Sequence, residues 1–186
     1  MNHIEKYLRI AGLILGVVAG MLAVPATTSA QSLPSVRLNF TGNYVATTCQ
    51  LIGSPDMTET LPRVSTQSLA APGAVAGEKD FTITMQCPSD VTGARVYFES
   101  GPATDPQTGN LTPQSISGVT SASNVQIRLA NSDGTPIKVG DRSTMRVIPI
   151  TSTDPTPARF FASYYATGRA TAGRVSTFVT YVVEVP

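Results

Sequence analysis

The stretch FFASYYATGRATAGRVSTFVTYVVEVP (Phe160–Pro186) decides how this chain is read. From Gly173 onward the odd positions are Gly173, Val175, Thr177, Val179, Tyr181, Val183 and Val185. Between them stand Arg174, Ser176, Phe178, Thr180, Val182, Glu184 and Pro186. Alternation of period two over so many residues, rich in Val, Thr and Tyr, predicts a strand that runs to the last residue. Such an apolar face must either pack in the subunit's own core or be covered by another chain.

The opposite end begins with Lys6 and Arg9, followed by the apolar run Ile10–Val24 and the small residues Ala26-Thr27-Thr28-Ser29-Ala30. That order of charge, apolar run and small-residue site predicts a secretory signal peptide over residues 1–30, cut after Ala30. A membrane anchor is the competing reading. The apolar run is short for a span of roughly 20 residues, so no membrane span is expected after cleavage.

Residues 31–186 are enough for one domain with its own core. The chain has 13 Lys and Arg against 12 Asp and Glu, with no block of like charges, which argues against nucleic acid as a partner. The one histidine, His3, lies in the leader, so the exported part offers no Ser-His or Cys-His pair and few zinc sites. Cys49 and Cys87 are the two cysteines. In an exported chain they point to one disulfide; a catalytic thiol is the alternative, without a histidine or a CxxC to support it.

A second period-2 segment follows Leu33-Pro34, with Val36, Leu38, Phe40, Gly42 and Tyr44 on one side, and continues toward Cys49 and Leu51. Gly53-Ser54-Pro55-Asp56 predicts a turn, residues 57–64 an irregular edge strand broken by Pro62, and residues 68–77 a loop. Phe81, Ile83, Met85 and Cys87 share one face of a further strand, and 94–99 forms another with Val96 and Phe98 inward. Residues 101–113 read as a long surface loop. Val125, Ile127 and Leu129 mark a strand closed by the Asp133-Gly134 turn, with 137–139 as its short return, and strands are expected at 145–150 and 160–167. No stretch has a helical period. About eight or nine strands separated by turns suggest an all-β, two-sheet sandwich.

Chemistry is sparse. Glu99, Asp133 and Asp141 are the candidates for acid–base carboxylates, and Asp105 and Asp133 hint at calcium without the dense spacing that ion needs. Asn39-Phe40-Thr41 and Asn110-Leu111-Thr112 match the glycosylation tripeptide, a pattern frequent by chance. No phosphate loop or GxSxG elbow is present. We expect no enzyme activity, no cofactor and no metal, and a structural or binding role.

Four segments together resemble the pilin subunits of chaperone–usher fimbriae: LNFTGNYVATTC (Leu38–Cys49), DFTITMQC (Asp80–Cys87), VQIRLANSDGTPI (Val125–Ile137) and the stretch quoted first, with Gly173 fourteenth from the C-terminus. The resemblance implies an incomplete immunoglobulin-like sandwich lacking its last strand, completed by a donor strand from a chaperone or a neighbouring subunit. It implies the domain plan 1–30 signal peptide, 31–42 donor extension and 43–186 pilin domain. Val36, Leu38, Phe40 and Gly42 would be the donor residues. Gly173, Val175, Val179, Tyr181, Val183, Val185 and Pro186 would form the groove strand that meets the chaperone. Cys49–Cys87 would be the family disulfide between the first two strands. The implied partners are a periplasmic chaperone, an outer-membrane usher and other pilin subunits, and the implied location is a fimbria at the cell surface. Where the family carries an aromatic one residue before the end, this chain has Val185. A minor adhesive or adaptor pilin that binds a host receptor directly is the second reading. A self-complete secreted enzyme or inhibitor is a third.

Overall fold

In a computed structural model the described residues are 48–54, 56–115 and 117–186. The expected leader over residues 1–30, the expected donor residues Val36, Leu38, Phe40 and Gly42, and the Asn39 tripeptide lie outside them. Eight strands occur in the described part: β1 (Gln50–Ile52), β2 (Val75–Gln86), β3 (Gly93–Glu99), β4 (Val125–Asn131), β5 (Pro136–Ile137), β6 (Ile148–Pro149), β7 (Thr156–Ala166) and β8 (Thr180–Glu184). Two 3-10 turns, Thr66–Leu69 and Arg142–Thr144, are the helical elements.

The strands form two sheets, β1-β2-β7-β4-β5 and β6-β3-β8, with antiparallel pairing throughout. This is the expected sandwich. Strict alternation along β3 explains its place: Ala94, Val96 and Phe98 are buried, while Arg95, Tyr97 and Glu99 turn to the other face. The facing sheet supplies Ile83 and Met85 from β2, Leu129 from β4, and Ala158 and Phe160 from β7. Phe98 and Phe160 meet across the core nearly edge-to-face, with centroids 5.2 Å apart and planes at 87°, a geometry that aromatic quadrupoles favour.

Several sequence expectations need correction. Residues 57–64 form no strand, because Pro62 withholds a donor and no described ladder takes the segment up. Residues 68–77 are not all loop: the 3-10 turn occupies the first part, and β2 already begins at Val75. The strand expected over 145–150 shrinks to β6. The expected 137–139 return strand is Pro136–Ile137, and β7 starts earlier than expected, at Thr156. A bulge interrupts β2 against β7 between Ala76 and Lys79. Gly77 lies within it at φ 66°, where a Cβ would strike Val64 and Tyr164.

The segment 101–113 is only partly on the surface. Ala103, Asn110 and Leu111 are buried, and Leu111 exchanges both backbone hydrogen bonds with Ile127 at 2.8 Å. β5 is too short to cover the whole edge of β4, so this segment pairs with the rest. The side chains of Thr108 and Asn110 donate to Gln126 Oε1, and Gln126 Nε2 donates to Asp105, which closes a small polar network under the loop. With Asn110 5 % exposed and engaged in this network, the Asn110-Leu111-Thr112 tripeptide is not available as a glycan acceptor.

Candidate functional site

The predicted terminal strand is shorter than its sequence period. A regular ladder exists only from Thr180 to Glu184, in register with β3 as Arg95↔Glu184, Tyr97↔Val182 and Glu99↔Thr180. Gly173, Val175 and Val179 precede it, and Val185 and Pro186 follow it, both exposed. Upstream of the ladder, residues 112–114 and 120–122 take the place of β3. Arg174 donates its N–H to Thr120 O and accepts from Ala122 N, Ser176 O accepts from Gln114 N, and Thr177 Oγ1 donates to Thr112 O.

Gly173 sits where residues 120–122 cross. A Cβ there would lie 2.3 Å from Ala122 N and 2.5 Å from Ser121 C. Its backbone is not left-handed, so the requirement is for close approach rather than for an unusual φ.

The inner face of the terminal segment is only partly covered. Val175, Val179, Tyr181 and Val183 pack against the core, but none reaches the full burial of Val96 and Phe98 on the neighbouring strand. Among the described strands, β3 alone pairs with β8. Along the opposite edge lie two hollows. One, of about 160 Å³, is lined by Leu51, Ile52, Met57, Ile83 and Tyr181. The other, of about 330 Å³, is lined by Val64, Leu69, Ala122, Tyr164, Gly173 and Val175. Leu51, Ile52 and Met57, which line the smaller hollow, are exposed at 36 %, 43 % and 40 %. Ser54, Thr82 and Thr84 also line the smaller hollow and Arg63, Ser65 and Thr66 the larger, so together the two outline a seam of mixed polar and apolar lining along the terminal segment.

The remaining predicted residues fall as follows. Cys49 and Cys87 are joined by a disulfide, with S–S 2.01 Å and Cα atoms 4.2 Å apart, tying the start of β1 to the end of β2. The candidate carboxylates do not converge. Asp105 receives the N–H groups of Gln107 and Thr108, Asp133 holds Thr135 and Arg146, and Asp141 caps the second 3-10 turn through Ser143. No group of three or more metal-binding side chains occurs among the described residues, so Asp105 and Asp133 act as turn-formers there. No helix among the described residues is long and apolar enough to cross a membrane.

A model of the fimbrial protein family matches residues 38–185. The chain belongs to that family. It is 40 % identical to the F17 fimbrial protein of Escherichia coli over 91 % of this chain and 95 % of that one. To the major fimbrial subunit SMF-1 of Stenotrophomonas maltophilia it is 32 % identical, over 78 % of this chain and 89 % of the relative. The rod subunit of the P pilus superimposes at a TM-score of 0.56 with 16 % identity, covering 74 % of this chain and 99 % of that one, a likeness of fold. The protein is a structural subunit of a fimbria and is displayed at the cell surface.

One feature of this pilin had no signal in its sequence. The carboxylate of Glu184 receives Arg142 Nε at 3.0 Å on each oxygen and Arg142 Nη2 at 2.7 Å, and the guanidinium stacks on Tyr97 with 4.0 Å to the ring centre. The partners are 42 residues apart, so no local pattern announces them.

Acid is expected to weaken the subunit in a defined window. Asp105 is held below the usual carboxylate range first by the Thr108 N–H, Asp133 by the Thr135 hydroxyl, Asp141 by the Ser143 hydroxyl, and Glu184 by the Arg142 guanidinium. A depressed folded value adds stability that is complete above the unfolded value and is lost as pH falls through the folded one. The thermal midpoint is therefore expected to hold from about pH 7 to about pH 5 and to fall below about pH 4. Melts across that range check it; a midpoint that rises on acidification would contradict the assignment.

Proposed function

We propose that this subunit polymerises by donor-strand exchange, with its own segment 31–42 entering the seam of a neighbour and its own seam receiving the corresponding segment of the next subunit. The observation that carries the proposal is the half-covered apolar inner face of Val175, Val179, Tyr181 and Val183 beside two open hollows. An extended segment laid there adds a backbone ladder to the edge of β8 and places alternate side chains in the hollows, which is β-augmentation. Val36, Leu38 and Phe40 would each contribute about 1.5–3 kcal/mol by burial, and Gly42 would let the backbones approach closely.

Before assembly a periplasmic chaperone would lend the missing strand, and an outer-membrane usher would be the place of exchange. The role is structural rather than catalytic, in keeping with carboxylates spent on turns and caps. The test is co-expression with the cognate chaperone and usher, followed by gel electrophoresis of unheated samples. The full chain is expected to yield heat-labile ladders. Deletion of residues 31–42 is expected to abolish them while leaving chaperone binding intact. Ladders from the deletion variant would sink the donor role.

A further inference from the structure

We propose that Arg142 is a positioning residue for strand capture: its fork on Glu184 and its stack on Tyr97 hold the terminal strand on β3 in the register that turns Tyr181 and Val183 toward the seam. The inference rests on the seam being the acceptor site and adds a device that keeps it ready. A strand between two neighbours is fixed by two ladders, whereas β8 has β3 alone among the described strands. A slip of one residue would exchange its faces, bringing Val182 and Glu184 to the seam. Something other than the second ladder must resist that slip until a donor arrives.

The side chains on the outer face of this sheet are placed to do so. Glu184 lies directly opposite Arg95 in the ladder, but Arg95 Nη1 is 4.0 Å away, and its buried Nε has no hydrogen-bond partner. Arg95 therefore contributes charge without a directed bond. Arg142 supplies the directed contact, with three short bonds that fix both carboxylate oxygens. Its own position is set from two sides. Asp141 caps the 3-10 turn that carries it, and Tyr97, on which it stacks, donates its hydroxyl to Gly140 O at 3.2 Å. The fork thus links the Arg142 turn, Tyr97 of β3 and Glu184, the last residue of β8, on the face away from the seam.

The test uses the full-length oxidised chain, unfolded in denaturant and diluted into buffer with an excess of labelled peptide spanning residues 31–44. Capture is followed by anisotropy, release by dilution of the captured complex, and ordering of β8 by amide exchange at 180–184. For Arg142→Gln and for Glu184→Gln, capture is expected to slow by about three- to tenfold, with release changed by less than about twofold. Exchange at 180–184 before capture should quicken by a similar factor. Arg142→Lys, which keeps charge but loses the fork, should fall between, and the double variant should be no slower than either single one. Capture at the wild-type rate with unchanged exchange overturns the proposal. So does equal loosening before and after capture, which would mark Arg142 as a general stabiliser. If the wild-type chain captures no peptide, the donor-strand reading fails, and the exchange measurement alone then decides the role of Arg142.

Discussion

Replacing Gly173 by alanine is expected to destabilise the strand-complemented subunit by about 3 kcal/mol, at the upper end of what overpacking costs. The added carbon would stand 2.3 Å from Ala122 N, 2.5 Å from Ser121 C and 2.7 Å from Ala122 Cα, and all three are main-chain atoms. A flexible side chain could swing aside; this backbone cannot. The same crossing is pinned by Arg174 N–H to Thr120 O at 2.9 Å and Ala122 N–H to Arg174 O at 3.0 Å, so relief of the clash breaks those bonds. Gly101→Ala is the control, since a Cβ there meets nothing within 4 Å and its φ is ordinary. Urea midpoints of the two variants should differ widely at similar m. If Gly173→Ala behaved like Gly101→Ala, the close approach would be irrelevant. Because Gly173 and Val175 also line the larger hollow, the variant should capture donor peptide poorly.

Removing the disulfide has an effect of the same order. With Cys49 and Cys87 separated by 38 positions, opening the bridge is expected to cost about 4 kcal/mol on the chain-entropy account. Domains of this kind have a total stability of about 5–15 kcal/mol, so the Cys49→Ser/Cys87→Ser chain should be largely unfolded in mild urea. The location sharpens the expectation. β1 has three residues, all exposed, and beyond its ladder to β2 it is anchored by this bond. Its loss would free Leu51 and Ile52, which form one wall of the smaller hollow. Peptide capture should therefore fall further than the loss of stability alone would give. A double-serine subunit with the urea midpoint of the wild type would refute the account.

Much of the architecture was legible in the chain because β structure writes itself locally. Period-two alternation marked β3 through Val96 and Phe98, β4 through Val125, Ile127 and Leu129, and the inner face of the terminal segment. The Asp133-Gly134 pair marked the turn from β4 to β5. Residues 57–64 form no strand because a segment without a partner edge has no ladder to join, and of 145–150 only Ile148–Pro149 finds one, on β3. The buried loop at Ala103–Leu111 was missed for the converse reason. Its sequence is rich in turn residues, and what buries Leu111 is the length of β4 left uncovered by β5.

Residue type and spacing alone pointed to an all-β exported chain with two cysteines suited to one disulfide, a terminal segment of odd-numbered apolar residues, and the motifs of a pilin. Those properties depend on residue type and near spacing, which any conformation of the chain preserves. Only the folded chain shows that the terminal ladder covers Thr180–Glu184, that residues 112–114 and 120–122 flank the part before it, and that Gly173 has no room for a side chain. It also decided that Arg142 grips Glu184. Each of these depends on where distant segments meet, and that is set by how loops close and which edges remain unpaired, not by the local period of the chain.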